Sequence, residues 1–514
     1  MRPPGLWDSD GNTHSHEITM YNFEAMRMGA EIFFQTHTLM FLVMGFFLGF
    51  FVGSIPGFND ANIMAILLPF SLILEPTIAI IAMVAIYTGA QAGGSIPGIL
   101  LNIPGTPGNS ATILDGYPMA KKGLAGYALG LSLGASTVGS LVGAVFALLL
   151  APIIGVYALS FGPAEMFMVV LLGMTVVSTL AADSMAKGLL IASFGILVSL
   201  MGADPMTGFA RGTYDIAFLY DGMPLIPVLL GLFGFSELLL ILGGKTISNT
   251  VDEHQKWSEL FRGMKDAFSH RINMARSSLI GFVVGVIPGA GATIGSFLAY
   301  GIAKQWSGKP EEFGKGSPEG LVASDSANNA TACGAIVPML TLGVPGSAST
   351  LVMLAALVLH GVRPGPQFFD NFQGESYAIL YALFGATLLI AVMGVVMCRY
   401  MQRVVFIPTA ILVPVVSVLI FIGAYAWRFL AFDIFLMVIF GLLGLLLRAK
   451  KYPVPAFLLA IILGPMLESN YLRATRIGGF EVFYSSYLSL ILFSLVVLSL
   501  LAPFIVTLLK KRKA

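Results

Sequence analysis

The sequence predicts an all-α polytopic membrane protein of about 12 spans, at roughly 20 apolar residues each. It further predicts two inverted repeats whose helices are broken at Pro-Gly turns or folded as re-entrant hairpins. Three observations carry this reading. The 514 residues are 57% hydrophobic and 11% charged, with a mean hydropathy of +0.87, whereas soluble domains carry about 25% charge. Long apolar runs are interrupted by polar, Gly- and Pro-rich stretches, above all Gly89–Gly123. Two of the interrupted stretches recur later in the chain in the same order.

Residues 1–37 form a polar segment that ends in a short helix over 22–36, expected at the membrane interface. Its apolar positions are Phe23, Met26, Phe33 and Phe34. It lacks the basic-then-apolar order of a cleaved leader, and its acids (Asp8, Asp10, Glu17, Glu24, Glu31) outnumber Arg2 and Arg27. His14 and His16 read as solvated. Residues 38–244 form a first membrane repeat. It opens on the span Thr38–Ser54, where Gly45, Gly49 and Gly53 let a neighbouring helix come close. After Pro56-Gly57 the chain is apolar to Leu74 and again from Pro76 to Tyr87. Further spans are expected near 125–155, 163–182, 186–202 and 223–243.

Residues 245–277 are expected to be a hydrophilic, net basic loop linking the halves, and 278–509 a second repeat. That repeat has spans near 376–400, 405–425, 428–447, 454–467 and 484–508. Lys510 to Lys513 open a basic tail, 510–514. The duplication rests on two matches. Gly281 to Gly289 repeats Gly49 to Gly57 with Pro288 on Pro56, an offset of 232. Gly334, Pro338, Pro345 and Gly346 fall on Gly93, Pro97, Pro104 and Gly105, an offset of 241. Short basic loops stay cytoplasmic. The 245–277 loop, the tail and Lys121-Lys122 are therefore assigned inside, and the less basic His360–Glu375 outside. This makes the halves inverted, a symmetry common in secondary transporters.

Broken chain at membrane depth is tolerated where it is buried in protein or lines a water-filled cavity. A half-helix that starts there presents free N–H groups and the positive end of a dipole, which suit an anion. The expected substrate-binding residues are Gly57, Asn59, Asn62, Asn102, Gly105, Thr106, Asn109, Ser110, Gly289, Gly346, Ser347 and Thr350. Asp60 and Asp325, with Asn328 and Asn329, are the candidates for cation coupling, because an ionisable group within a membrane segment is functional by default. Asp115 reads as a helix cap. The same polar side chains can also serve only to satisfy the backbone that Pro frees. No metal beyond sodium, no nucleic acid and no organic cofactor is implied. The two cysteines, Cys333 and Cys398, sit in apolar surroundings. His-Glu-x-x-His is absent, and an enzyme is not expected.

These stretches resemble the large membrane subunit of the tripartite tricarboxylate transporter family, the TctA-like permeases. The resemblance runs from about residue 38 to the C-terminus. It is carried by GGSIPGILLNIPG and LDGYPMAKKG in the first half and by SANNATACGAIVPMLTLGVPGSAST and LHGVRPGP in the second. Asn59-Asp60, where Gly-Pro is expected, and Pro97, where Thr is more usual, depart from the pattern. The resemblance implies cation-driven uptake of an organic carboxylate, citrate or a dicarboxylate, across the bacterial inner membrane. It implies sodium or protons as the coupling ion. It also implies two partners, a small four-span membrane subunit and a periplasmic substrate-binding protein. Asn62, Asn102, Asn328, Asn329 and the Pro-Gly turns would line the site. A self-sufficient anion carrier or channel is the alternative.

Overall fold

The computed structural model describes residues 22–56, 58–180, 184–204, 207–242, 256–403 and 409–513. Gly57 and the polar tail before Asn22 lie outside them. Helix α1 (Phe23–Phe33) is capped by Asn22, whose side chain accepts from the Ala25 N–H at 3.1 Å. It buries Ala25, Gly29 and Phe33, while Phe23 and Phe34 are exposed. Of the expected apolar positions, Phe33 and Met26 therefore face the core while Phe23 and Phe34 do not, and Ala25 and Gly29 complete the packed face. The first half continues with α2 (Thr36–Gly53), α3 (Asp60–Ser71), α4 (Pro76–Gly93), α5 (Ser95–Leu101) and α6 (Ile113–Lys121). After α7 (Ala125–Ala158), α8 (Pro163–Leu180) and α9 (Met185–Ser199), a small antiparallel ribbon pairs Gly202–Ala203 with Ala210–Arg211. Its Arg211 forms a two-pronged hydrogen-bonded ion pair with Glu468. The half closes on α10 (Leu225–Leu229), a π-helical turn over Leu230–Phe235, and α11 (Ser236–Leu242).

The stretch expected as a hydrophilic loop is largely helical. Within it, 256–277 holds α12 (Trp257–Ala267) and the start of α13 (Arg271–Val286). Leu260, Gly263 and Ala267 form a one-sided stripe buried against α7, with Gly130 and Gly263 bringing the two backbones together. Average polarity concealed an amphipathic helix. The second half then runs α14 (Gly291–Trp306), α15 (Pro318–Leu342), α16 (Ala348–Leu359), α17 (Phe368–Asn371), α18 (Gln373–Met401) and α19 (Thr409–Ala426). It ends with α20 (Ala431–Ala449), α21 (Val454–Gly478), α22 (Val482–Ser485) and α23 (Tyr487–Lys513). Among the described residues, seven helices are long and apolar enough to cross a membrane, and six more apolar helices are shorter. α15 is the centre of the molecule: every residue from Gly320 to Thr341 is buried. It packs on α7 through Gly139 and Gly143, opposite Ser326 and Ala330.

The duplication read from the sequence is repeated in the packing. A Cβ on Gly49 or Gly53 of α2 would land on the backbone of Ile86 or Ala90 in α4. On Gly281 or Gly285 of α13 it would land on Ala327 or Thr331 in α15. These are the same positions at offsets of 232 and 241. Gly93 meets the Phe50 carbonyl just as Gly334 meets that of Phe282. Both broken helices end on the same left-handed residue, Asn102 (φ 63°) and Gly343 (φ 70°), whose N–H groups reach the Pro97 and Pro338 carbonyls. Each half is thus a helix pair held backbone to backbone. Replacing Gly49 or Gly281 by Val is expected to cost about 3 kcal/mol or more through overpacking against main chain. Gly301→Ala in α14, where a Cβ meets nothing within 4 Å, is expected to be neutral or mildly stabilising. Thermal denaturation in detergent checks both. Equal melting temperatures for the Val variants and wild type would contradict the contact.

Candidate functional site

Two of the Pro-Gly breaks, Pro288-Gly289 and Pro345-Gly346, border one space. Asn59 caps α3, its Oδ1 accepting the Asn62 N–H at 3.0 Å. Ser347 caps α16 in a reciprocal box: Thr350 N–H donates to Ser347 Oγ at 3.2 Å, and Ser347 N–H to Thr350 Oγ1 at 2.9 Å. The start of α14 differs. Gly289 and Gly291 turn the chain with φ of 77° and 68°. No side chain caps the first turn that follows. Its N–H groups are left for whatever enters the space beside them.

That space is a cavity of about 400 Å³. The first turn of α14 (Gly291, Ala292, Thr293) forms one wall, and the start of α16 (Ser347, Ser349) forms another. Tyr87 and Gln91 of α4, Asp60 at the start of α3, and Pro107-Gly108 of the short 3-10 turn Pro107–Ser110 complete the polar side. Val177, Pro455 and Leu459 supply apolar surface. Both halves therefore build one chamber. No Lys, Arg or His lines it, and its one carboxylate is Asp60. Asp60 is 1% exposed. Its Oδ2 accepts from Ser349 Oγ at 2.7 Å and Gln91 Nε2 at 2.8 Å. Among the described residues no basic side chain pairs with it. An anion here meets dipole and N–H groups at α14, while a cation meets a carboxylate at α3.

The predicted residues divide into those at the chamber and those elsewhere. Asp60, Gly289 and Ser347 line it. Asn59 and Thr350 act in the caps just described. Thr106 and Asn109 stand behind Gln91: Thr106 Oγ1 lies 2.9 Å from Gln91 Oε1, and Asn109 Nδ2 donates to the Gln91 carbonyl at 3.2 Å. Gly105 and Gly346 are close-packing positions, pressed on the Gly53 and Gly285 carbonyls. Ser110 donates to its own turn at Pro107 O, 2.7 Å away. Asn102 is the exposed left-handed end of a helix, and Asn62 faces the Glu237–Arg448 pair, so neither lines the chamber. Asp325, Asn328 and Asn329 form a separate buried group on α15 behind the 3-10 turn. Sequence reasoning missed Tyr87, Gln91, Thr293 and Ser349. A Gln within the apolar run 76–93 was the available signal for one of them, since a buried amide needs a partner.

Asp115 is a cap between the halves. Its Oδ1 accepts the Gly314, Gly316 and Ser317 N–H groups, each at 2.8 Å, where the chain enters α15. Lys122 adds a 2.6 Å bond from Nζ to the Lys315 carbonyl.

Residues 39–459 match the family described as the Tripartite tricarboxylate transporter TctA family. The chain belongs to that family. It is the permease component of a tricarboxylate transporter and a multi-pass membrane protein. A relative from Agrobacterium vitis, an uncharacterized 52.8 kDa protein in the TAR-I ttuC' 3' region, is 32% identical over 461 residues. That alignment covers 88% of this chain and 90% of the relative. An uncharacterized protein of the TAR-II ttuC' 3' region of the same organism is 33% identical over 199 residues, covering 38% of this TctA-family chain and 82% of the relative. No solved structure matches.

Proposed function

We propose that this permease imports an organic carboxylate, a tricarboxylate such as citrate or a dicarboxylate, by cation symport across the bacterial inner membrane. Substrate is delivered by a periplasmic binding protein, and a small four-span subunit completes the assembly. The observation that carries the reading is a chamber with an uncapped helix start on one wall and an unpaired carboxylate on another. The N–H groups of Gly291 to Thr293 attract the anion without a buried arginine, so release does not require breaking an ion pair. Asp60 repels that anion unless it carries a proton or a sodium ion. Loading the cation therefore favours loading the substrate, which is the linkage a symporter needs. In a membrane the repeats stand inverted, and the half-helices of both meet near the midplane.

The test is uptake of labelled citrate and of a labelled dicarboxylate into proteoliposomes that hold the permease and its small subunit. Sodium or proton gradients are imposed, with and without the binding protein. Uptake that requires both a gradient and the binding protein is expected. Uptake indifferent to the binding protein would replace this reading with a self-sufficient carrier.

A further inference from the structure

Five carboxylates are buried among the described residues: Asp60, Asp115, Glu237, Asp325 and Asp433. Two have a counter-charge and a third is held by a cluster of N–H donors. Asp433 pairs with Arg428, Glu237 with Arg448, and Asp115 with three N–H groups at a helix start. Asp60 faces the chamber. Asp325 is 0% exposed, lies outside the chamber lining, and has no basic side chain in an ion pair with it. An isolated buried charge costs several kcal/mol, so something must neutralise it.

Its surroundings are all oxygen and amide groups. Thr112 Oγ1 donates to Oδ1, and Ser95 Oγ lies 3.4 Å from Oδ2. Ser132 and Asn109 reach the same carboxylate. These groups come from four segments of the first half, α5, the 3-10 turn, the linker before α6 and α7, closing on α15 of the second half. Hydroxyls that donate to a carboxylate can rotate and offer lone pairs to an ion beside it. On α15 the buried Ser326 hydroxyl and both carboxamide atoms of buried Asn328 have no hydrogen-bond partner, and Asn328 Oδ1 abuts Gly108 of the 3-10 turn. A single negative charge among neutral oxygens suits a small hard monovalent cation rather than a divalent one.

We propose that Asp325, with Ser95, Thr112, Ser132 and Asn109, is a second and occluded cation site that takes a sodium ion, distinct from Asp60. The two sites communicate through one proton. Thr106 Oγ1 lies 2.9 Å from Gln91 Oε1 and 2.6 Å from Asn109 Oδ1, so its hydroxyl serves one of them at a time. Gln91 contacts Asp60, and Asn109 donates to Ser95 at 2.9 Å. The inference deepens the symport reading but does not need transport to be tested.

The experiment is equilibrium binding of radioactive sodium to the purified full chain in nanodiscs, with unlabelled sodium, potassium or choline as competitors. Wild type is expected to bind sodium that only sodium displaces well. Asp325→Asn should weaken that binding by about tenfold or more, and Ser95→Ala by a smaller factor. Asp60→Asn should leave the Asp325 site filled. Ser95→Ala keeps the test decisive if Asp325→Asn does not fold. Sodium binding unchanged in both variants, lost only with Asp60→Asn, or absent from wild type overturns the proposal. Sodium held at Asp325 in a chain that moves no carboxylate would leave the site standing and remove the transport reading instead.

Discussion

Asp60→Asn is expected to abolish gradient-driven accumulation of substrate, by about a hundredfold or more in initial rate, while leaving exchange of labelled for unlabelled substrate largely intact. The variant keeps the shape of the side chain and an oxygen able to accept from Ser349 and Gln91. What it removes is the charge. With Asp60 1% exposed and no basic residue paired with it, the wild-type carboxylate is tolerable only when a proton or metal ion neutralises it. The Asn form is permanently neutral, so the anion can load without a cation and the imposed gradient has nothing to act on. Counterflow and gradient-driven uptake in the same proteoliposomes separate the two outcomes. An Asn variant that accumulates substrate with wild-type dependence on the gradient would remove Asp60 from the coupling mechanism.

Asp115→Ala is expected to be the most damaging substitution for stability, costing about 3–5 kcal/mol. Three charge-assisted bonds from backbone N–H groups to the buried Asp115 carboxylate are lost, and of the donors at Gly314, Gly316 and Ser317 the last is itself buried. Asp115→Asn retains an acceptor but not the charge that favours a helix start, and should cost about 1–2 kcal/mol. Melting temperatures in detergent should rank wild type above Asn and Asn above Ala. An Ala variant as stable as wild type would show that water replaces the carboxylate at no cost.

The duplication and most of the helices were legible because glycine spacing and Pro-Gly breaks are local signals. Gly49, Gly53, Gly281 and Gly285 announce close backbone contact whatever the partner is, and their partners sit where the two offsets require. The chamber was legible only in outline. Asp60, Gly289 and Ser347 line it because they flank the breaks, whereas Asn62, at the same break, points to Glu237 instead. Sequence proximity to a break says nothing about which way a side chain turns around a helix. Gln91, Tyr87 and Ser349 were missed for the converse reason: each meets Asp60 or Ser347 only through tertiary packing. α12 was hidden by its charges, since a three-residue stripe of Leu260, Gly263 and Ala267 hardly alters average polarity.

The difference between the two offsets, 241 against 232, has a location. α3 and α4 are joined by four residues, Leu72 to Glu75, while α14 and α15 are joined by a longer stretch, Ser307 to Ser317. Gly314, Gly316 and Ser317, gripped by Asp115, lie within that longer joint. The clasp thus depends on chain that only the second half possesses and on an acid that only the first half offers there. Two copies of either half alone would have no such fastening. The asymmetry between the halves thus acts as a keyed joint, in which an acid of the first half fits a loop of the second.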